Sequence, residues 1–330
     1  MINIDPKFYK NKKILVTGST GFIGTNLCLR LLDLGADVVG TYFKSKPKII
    51  TKKIKYLQAD LTNKIDCTKV CKNIDYVFMC AANTSGAQVI ENEPLSHLTP
   101  NIVMNAFMLE AAYSNNVKKF IFISSNTVYP EGTKAMTEND VNYTFFYKYH
   151  IVGWMKAFSE EMCNMYLNHI SKPMKTLVIR PGNLYGPYDK FNPKESKVIA
   201  ALIKKFADKE NPIIVWGDGN DIKDFLYIDD FITGLLSVSS KKDSVSPVNI
   251  ASGKKTTVKN IINHLKHISK IQNPKIIYDS SKPTMIPIRR ISTRLAKEKF
   301  NFKCRYSINE GLEKTFNWYQ NNRSTLNNHD

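Results

Sequence analysis

The run Lys12-Lys13-Ile14-Leu15-Val16-Thr17-Gly18-Ser19-Thr20-Gly21-Phe22-Ile23-Gly24 constrains this chain more than any other stretch. Ile14 to Val16 form a short apolar run of the kind buried in a parallel strand, and three glycines at a spacing of three follow it at once. Beyond them, Asn26-Leu27-Cys28-Leu29-Arg30-Leu31-Leu32 carries helical periodicity. Strand, Gly-rich turn and helix N-terminus together form a cradle for a diphosphate. First-turn amides lack intrahelical acceptors, the helix dipole places positive charge there, and glycine lets the backbone approach a ligand. The same spacing also suits a turn that merely packs helix on sheet; the strand before it and the helix after it favour the dinucleotide reading. Gly18, Thr20, Gly21, Phe22, Ile23 and Gly24 are therefore expected around the pyrophosphate of a dinucleotide cofactor.

The first half of the chain repeats strand and helix. Asp37–Tyr42, Lys55–Ala59, Tyr76–Cys80, Lys119–Ser124 and Thr176–Arg180 read as the second to sixth strands. Helical patterns, notably Asn101–Ser114 and Gly153–Leu167, separate them. Near-continuous apolar strands joined by helical crossovers predict an α/β fold, a Rossmann-type doubly wound parallel sheet covered on both faces. After Pro181 the texture changes to shorter elements punctuated by Pro, Gly and Asn. The expected division is a nucleotide-binding domain over residues 1–180 and a smaller, partly interleaved C-terminal substrate lobe over 181–330, some of whose segments return to the first domain.

A net charge of +18 raises the question of nucleic acid. The lysines are scattered through every segment instead of forming one run, which favours a solubilising surface, so nucleic acid is not an expected partner. No apolar stretch approaches the ~20 residues of a membrane span. No apolar signal region precedes the first strand, and a cytoplasmic location follows as the expectation. The cysteines at 28, 67, 71, 80, 163 and 304 are expected to be free thiols. Neither Cys67 and Cys71 nor the pair Asp229-Asp230 predicts a metal site.

An acidic residue at the tip of the second strand would bind the adenine ribose hydroxyls and mark NAD. That tip reads Thr41-Tyr42-Phe43-Lys44, without a carboxylate, and Lys46 lies just beyond. Thr41 and Lys44 are expected at the adenosine ribose, where a cation meets a 2′-phosphate, so NADP is the expected cofactor and NAD the alternative. Asp60, with Leu61, opens the loop after the third strand and is placed to accept from the adenine amino group.

Further motifs are collinear with these: Cys80-Ala81-Ala82-Asn83, Ser124-Ser125-Asn126-Thr127-Val128-Tyr129-Pro130, Arg180-Pro181-Gly182-Asn183-Leu184-Tyr185-Gly186-Pro187 and Trp216-Gly217-Asp218-Gly219. Together they resemble the extended short-chain dehydrogenase/reductase family, the nucleotide-sugar epimerases, dehydratases and reductases, over almost the whole chain. The segment Gly186-Pro187-Tyr188-Asp189-Lys190-Phe191-Asn192-Pro193, with Lys197 to Leu202, is similar to the GDP-fucose synthase branch. The resemblance implies an NADP-dependent 4-ketoreductase or 4-epimerase of a nucleoside-diphosphate sugar, GDP-linked in that branch, serving surface glycan synthesis. It implies a homodimer formed through the helices before Ser125 and around Lys156. It also implies Ala81, Ala82 and Pro181 beside the cofactor, and Thr127, Asn183, Val198, Leu202, Lys223 and Arg289 or Arg290 beside the substrate. Lys223 stands where the family usually has arginine; it keeps the charge and loses the two-pronged grip on a phosphate.

Catalysis in that family rests on a Ser or Thr, a Tyr, and a Lys four residues after the Tyr. The ammonium and the cofactor ring lower the phenol's pKa from ~10 so that it can exchange a proton with the sugar. Ser125 and Lys156 occupy the hydroxyl and lysine positions, but Val152 occupies the tyrosine's. Tyr149 shares the helical face of Lys156 at ~10 Å along the axis, and Tyr147 and His150 lie on other faces. Tyr188 stands where the branch carries a histidine acid and is the candidate proton donor. The cysteine that pairs with that histidine is Thr127 here, which speaks against C3/C5 epimerisation. Asn126 and Thr127 replace the Asp-Glu pair of the 4,6-dehydratases, which speaks against dehydration. Three readings stay open: another acid/base, a proton carried by substrate or water, or a non-catalytic protein on the same fold that binds NAD(P) and sugar nucleotide, or RNA.

Overall fold

The computed structural model describes residues 4–84, 92–193, 195–241, 246–282 and 284–327. Strands β1 (Lys13–Val16), β2 (Asp37–Tyr42), β3 (Ile54–Gln58), β4 (Tyr76–Met79), β5 (Lys119–Ile123), β6 (Lys175–Pro181) and β7 (Val248–Ile250) form one sheet. Its order is β7-β6-β5-β4-β1-β2-β3, and every neighbouring pair is parallel. The Rossmann-type doubly wound sheet expected from the apolar runs is the one the chain forms.

Those runs are apolar at every position because both faces are covered. Side chains alternate across a strand, and the alternation sorts them into two cores. Ile14, Val16, Val38, Phe78, Ile121, Ile123, Leu177 and Ile179 enter one, against helices α1 (Phe22–Asp33) and α5 (Ile228–Ser239). Leu15, Val39, Val77, Met79, Phe120, Phe122 and Val178 enter the other, under α2 (Thr99–Ser114) and α3 (His150–Asn168). Beside the sheet, α4 (Val198–Ala207), α6 (Val258–Ser269) and α7 (Ile308–Asn327) pack on one another. Short strand pairs join this part to the sheet's carboxyl edge: Asn183–Tyr185 with Phe225–Tyr227, and Ile222–Lys223 with Thr256–Thr257. No helix among the described residues is long and apolar enough to cross a membrane.

Strand order reverses between β4 and β2, with β1 in the middle, so the crevice of this fold opens at the end of β1. The turn there is stitched to both neighbours. Thr17 N–H donates to the Phe78 carbonyl at 3.0 Å and Ser19 N–H to the Thr41 carbonyl at 2.9 Å. Gly18 sits at φ +60°, and a Cβ on it would lie 2.8 Å from Ala81 Cα. A Cβ on Gly24 would lie 2.2 Å from the Gly18 carbonyl oxygen. The helix thus starts in contact with the turn, and no side chain fits between them. Gly24→Ala is expected to destabilise the fold by about 1–3 kcal/mol through this overlap, measured by denaturant unfolding.

Candidate active site

The Thr17 hydroxyl accepts from Cys80 N–H and Ala81 N–H, each at 3.0 Å, and so fixes the exit of β4 against the exit of β1. Ser19 Oγ donates to the Thr41 carbonyl at 2.9 Å. Gly40 leaves the room for it: a Cβ there would stand 2.5 Å from Ser19 Oγ. Gly18 N–H reaches the Thr41 hydroxyl at 3.3 Å, and Thr41 is buried. Thr41 was expected to face the ribose; its side chain is turned inward and holds the turn instead. Leu61 likewise enters the core below β3, so only its backbone borders the crevice. Asp60 keeps one oxygen on the Thr62 amide and hydroxyl, at 2.9 and 2.7 Å. Lys44 is exposed, its ammonium 5.4 Å from the Phe43 ring centroid. Phe22 and Ile23 begin α1, where their amides have no intrahelical acceptor. The residues present therefore suit a dinucleotide.

One strand-width along, β5 delivers Ser124 to Thr127. Ser125 caps a short turn, its Oγ accepting from Thr127 N–H at 3.1 Å, which leaves the hydroxyl proton for a ligand. Asn126 Nδ2 donates to the Pro181 carbonyl at 3.2 Å and ties this turn to the end of β6. Thr127 is buried and its hydroxyl has no partner among the described residues. An orphaned buried hydroxyl beside Ser125 is what a polyhydroxylated ligand would complete. Lys156, also buried, donates from Nζ to the Ile123 carbonyl at 2.9 Å. Burial pulls its pKa down to about 8, against the opposing pull of Glu160.

Glu160 anchors the whole helix. One turn beyond Lys156, it takes the Arg180 Nε at 2.9 Å and NH2 at 2.5 Å, and it accepts from Ser124 Oγ. Arg180 NH1 continues to the Tyr129 hydroxyl at 3.1 Å, and that hydroxyl donates to Asn249 Oδ1 at 2.6 Å. β5, β6, β7 and α3 are thereby locked by one buried polar chain. Thr17, Ser19, Glu160 and Arg180 were not singled out from the sequence. The readable signal was the four-residue spacing of Glu160 from Lys156.

The substrate-side cations converge from a different direction. Arg289 N–H donates to the Ile222 carbonyl at 2.9 Å, while its NH1 and NH2 hold the Pro130 and Tyr129 carbonyls at 2.9 and 3.1 Å. Its Nε is buried without a partner among the described residues. Lys223 bonds Asp221 at 3.1 Å and the Ile286 carbonyl. Burial brings Arg289 down to about 10 and lowers Lys223 as well, and the two cations feel each other's charge. Buried Arg289 and largely covered Lys223 have Asp221 and Glu131 as their carboxylate neighbours, and an anion would complete the cluster. Tyr149 lies by this cluster: burial pushes it up to about 12, with Arg289 and Asp221 as its charged neighbours. Of the two arginines, Arg289 is the buried one; Arg290 reaches outward to the Thr133 carbonyl at 2.9 Å. Asn183 is set by the Asp224 carbonyl, which takes its N–H at 2.7 Å and its Nδ2 at 3.2 Å.

Two expectations change here. Tyr188 sets its ring 4.8 Å from that of Trp318 of α7 at a tilt of 58°, on a backbone at φ +67°. No hydrogen bond among the described residues joins it to Ser125 or Lys156, so the geometry gives the proton-donor role no support. Leu202 is a core residue of α4, buried in the α4–α6–α7 packing. Val198 is partly exposed at the start of the same helix. Asp189, next to Tyr188, is a buried carboxylate not anticipated; it accepts from Lys190 N–H at 2.8 Å, and burial pushes it up to about 6.

Comparison with known proteins agrees with this architecture. The model of the NAD dependent epimerase/dehydratase family matches residues 14–251. GDP-L-fucose synthase 1 of Arabidopsis thaliana is 25% identical over 95% of this chain and 94% of its own length. GDP-L-colitose synthase of Yersinia pseudotuberculosis is 27% identical over 94% of this chain and 99% of its own. UDP-glucose 4-epimerase of Thermotoga maritima, solved with UDP-glucose, superposes with a TM-score of 0.83 at 26% identity, covering 95% of this chain and 99% of that one.

A carboxyl whose folded pKa is raised stabilises the fold below its unfolded pKa of ~3.9, and that contribution is lost as pH rises through about 6. Asp189→Asn, which keeps the acceptor for Lys190 N–H, is therefore expected to gain on the order of 2 kcal/mol at pH 7 and to flatten the stability profile between pH ~4 and ~6. Urea unfolding at several pH values checks it.

Proposed function

Since the chain belongs to the NAD dependent epimerase/dehydratase family and is a nucleotide-sugar epimerase/reductase that uses a nicotinamide cofactor, we propose that it is an NADP-dependent 4-ketoreductase or 4-epimerase of a nucleoside-diphosphate sugar, GDP-linked, acting in surface glycan synthesis. The reading is carried by two observations: the neighbouring cations Lys223 and Arg289, the latter with an Nε unpartnered among the described residues, and the orphaned Thr127 hydroxyl. A diphosphate satisfies the cations and a sugar the hydroxyl. Both GDP-sugar and UDP-sugar proteins stand among the relatives, and the GDP assignment follows the two GDP-named ones.

When bound, the nicotinamide supplies or takes the hydride. In this reading the Gly18–Gly24 turn with Phe22 and Ile23 holds the pyrophosphate, Asp60 the adenine, and Ala81, Ala82 and Pro181 border the nicotinamide side. Lys44 with Lys46 meets a 2′-phosphate. Ser125 orients the C4 oxygen through its free proton, and Thr127 bonds a neighbouring hydroxyl. Lys156, already close to losing its charge, is held charged by the hydroxyls of the cofactor ribose and any alkoxide forming nearby. Asn183, Lys223 and Arg289 take the sugar-side diphosphate. With Val152 unable to exchange a proton, we take Tyr149 as the proton source, because its electrostatic neighbours are the crevice's own Arg289 and Asp221. The half from residue 181 onward is mainly the substrate-carrying part. Trp154, Phe158 and Met165 leave an exposed apolar stripe along α3 that a second copy would cover in a homodimer.

Oxidation of NADPH by a panel of 4-keto nucleotide sugars, followed at the absorbance of the reduced cofactor, with epimers read by NMR, tests the reaction; no turnover and no epimer with any member would overturn it. Tyr149→Phe is expected to lower kcat by about 10²-fold with a smaller effect on KM, and Val152→Tyr to raise kcat. An unchanged kcat in Tyr149→Phe would move the proton to substrate or water. The free enzyme's kcat/KM is expected to fall as pH rises through about 8, where Lys156 loses its proton.

A further inference from the structure

A cavity of ≈280 Å³ lies on the far side of the Asn183–Tyr185/Phe225–Tyr227 strand pair, between that pair and the first turns of α6 and α7. Its chemistry is uneven. Tyr185, Tyr227 and Tyr306 supply aromatic wall, and Tyr227 and Tyr306 meet edge to face at 4.9 Å. Tyr227 is buried, and its hydroxyl has no hydrogen bond among the described residues. Lys254 and Lys255 stand exposed at the rim, and Ser252 adds a hydroxyl. Ile308 and Asn309 open α7, where backbone amides have no intrahelical acceptor and the helix dipole is positive. The neighbouring carboxylates are already engaged. Asp224 accepts from Ser252 and Gly253, Asp230 from the Arg305 and Tyr306 amides, and Glu310 from Ser307.

We infer that this cavity is a second ligand site, for a planar aromatic compound carrying a phosphate, of nucleoside-monophosphate size. The tyrosines take the ring, and Lys254, Lys255 and the α7 amides take the phosphate. The volume is at the small end of ligand pockets, which run from about 300 Å³, and so excludes a whole dinucleotide. The site is wired to the crevice without depending on the reaction proposed for it. Ser252 Oγ donates to Asp224 at 2.7 Å, and the Asp224 carbonyl is the group that sets Asn183. An occupant that displaces Ser252 therefore acts on Asn183 through one residue.

Calorimetric titration of the full chain with GMP and, separately, UMP tests the site, with inorganic phosphate as the comparison. Two classes of binding event are expected. One weakens about tenfold in K254E/K255E and about threefold in Tyr306→Ala, which keeps both lysines. The other weakens in Lys223→Glu and leaves the first untouched. Phosphate alone is expected to bind the first class about tenfold more weakly than GMP. A single class that vanishes in Lys223→Glu and ignores K254E/K255E overturns the inference. Equal affinity for phosphate and GMP overturns it too, since it would mark two surface lysines without an aromatic slot. Loss of the Lys223-dependent class alone leaves this site standing and counts against the substrate reading instead.

Discussion

The chain's exit from β1 governs the rest of the carboxyl edge. Within the five residues Thr17–Gly21 it must leave a strand hemmed in on both sides, reverse, and start a helix. The Thr17 hydroxyl solves one side of this by taking two amides from the end of β4. Ser19 solves the other by bonding the Thr41 carbonyl through both its N–H and its Oγ. With backbone donors satisfied inside the sheet, the amides that remain belong to the first helical turn, and they face the crevice. A glycine at 18, at 24 and at 40 is the steric condition for this stitching, because each lies where a neighbour's atoms already occupy the space of a Cβ.

A second constraint works at right angles to the first. Arg180 and Glu160 form a buried two-pronged pair, and such pairs stabilise only when their remaining hydrogen-bonding capacity is filled. Here it is filled: Ser124, Tyr129 and the Glu138 carbonyl complete both partners. The pair holds α3 at fixed height over β5 and β6, and that height lets Lys156 reach the Ile123 carbonyl. Lys156 itself has no carboxylate in hydrogen-bond contact. The result is a rigid frame around an ammonium that burial has already weakened, next to two hydroxyls, Ser125 and Thr127, with protons or lone pairs to spare.

The fold was legible in the sequence because its signals are local. Unbroken apolar strands, a glycine triplet and helical spacing each report on a few neighbouring residues, and the strand limits differ from the expected ones by about a residue. The family motifs also implied Ser125, Lys156, Asn183 and either Arg289 or Arg290 as residues of one site. Thr41 follows from its place at a strand tip, Leu202 from helical spacing and Tyr188 from the resemblance, whereas tertiary contacts set their orientation: Gly18 for Thr41, the packing of α4 for Leu202, Trp318 for Tyr188. Tyr149 was set aside on helical geometry measured from Lys156. The chain enters α3 through a tight turn over Tyr147–Tyr149, so ideal helical spacing does not apply there. Arg180 and Asp189 lie inside quoted motifs without a role of their own there, and burial, which a single sequence does not display, is what gives them and Glu160 weight.

The contact between Tyr188 and Trp318 has an implication for how the protein is made. The loop that holds Tyr188 also accepts from Asn26 of α1 through the Pro187 carbonyl at 3.0 Å, so it borders the mouth of the nucleotide crevice. Its aromatic support comes from α7, a segment translated long after β1 and the glycine turn have left the ribosome. That side of the mouth therefore rests on a partner far along the chain from the turn it flanks, so its order depends on the C-terminal helix being in place.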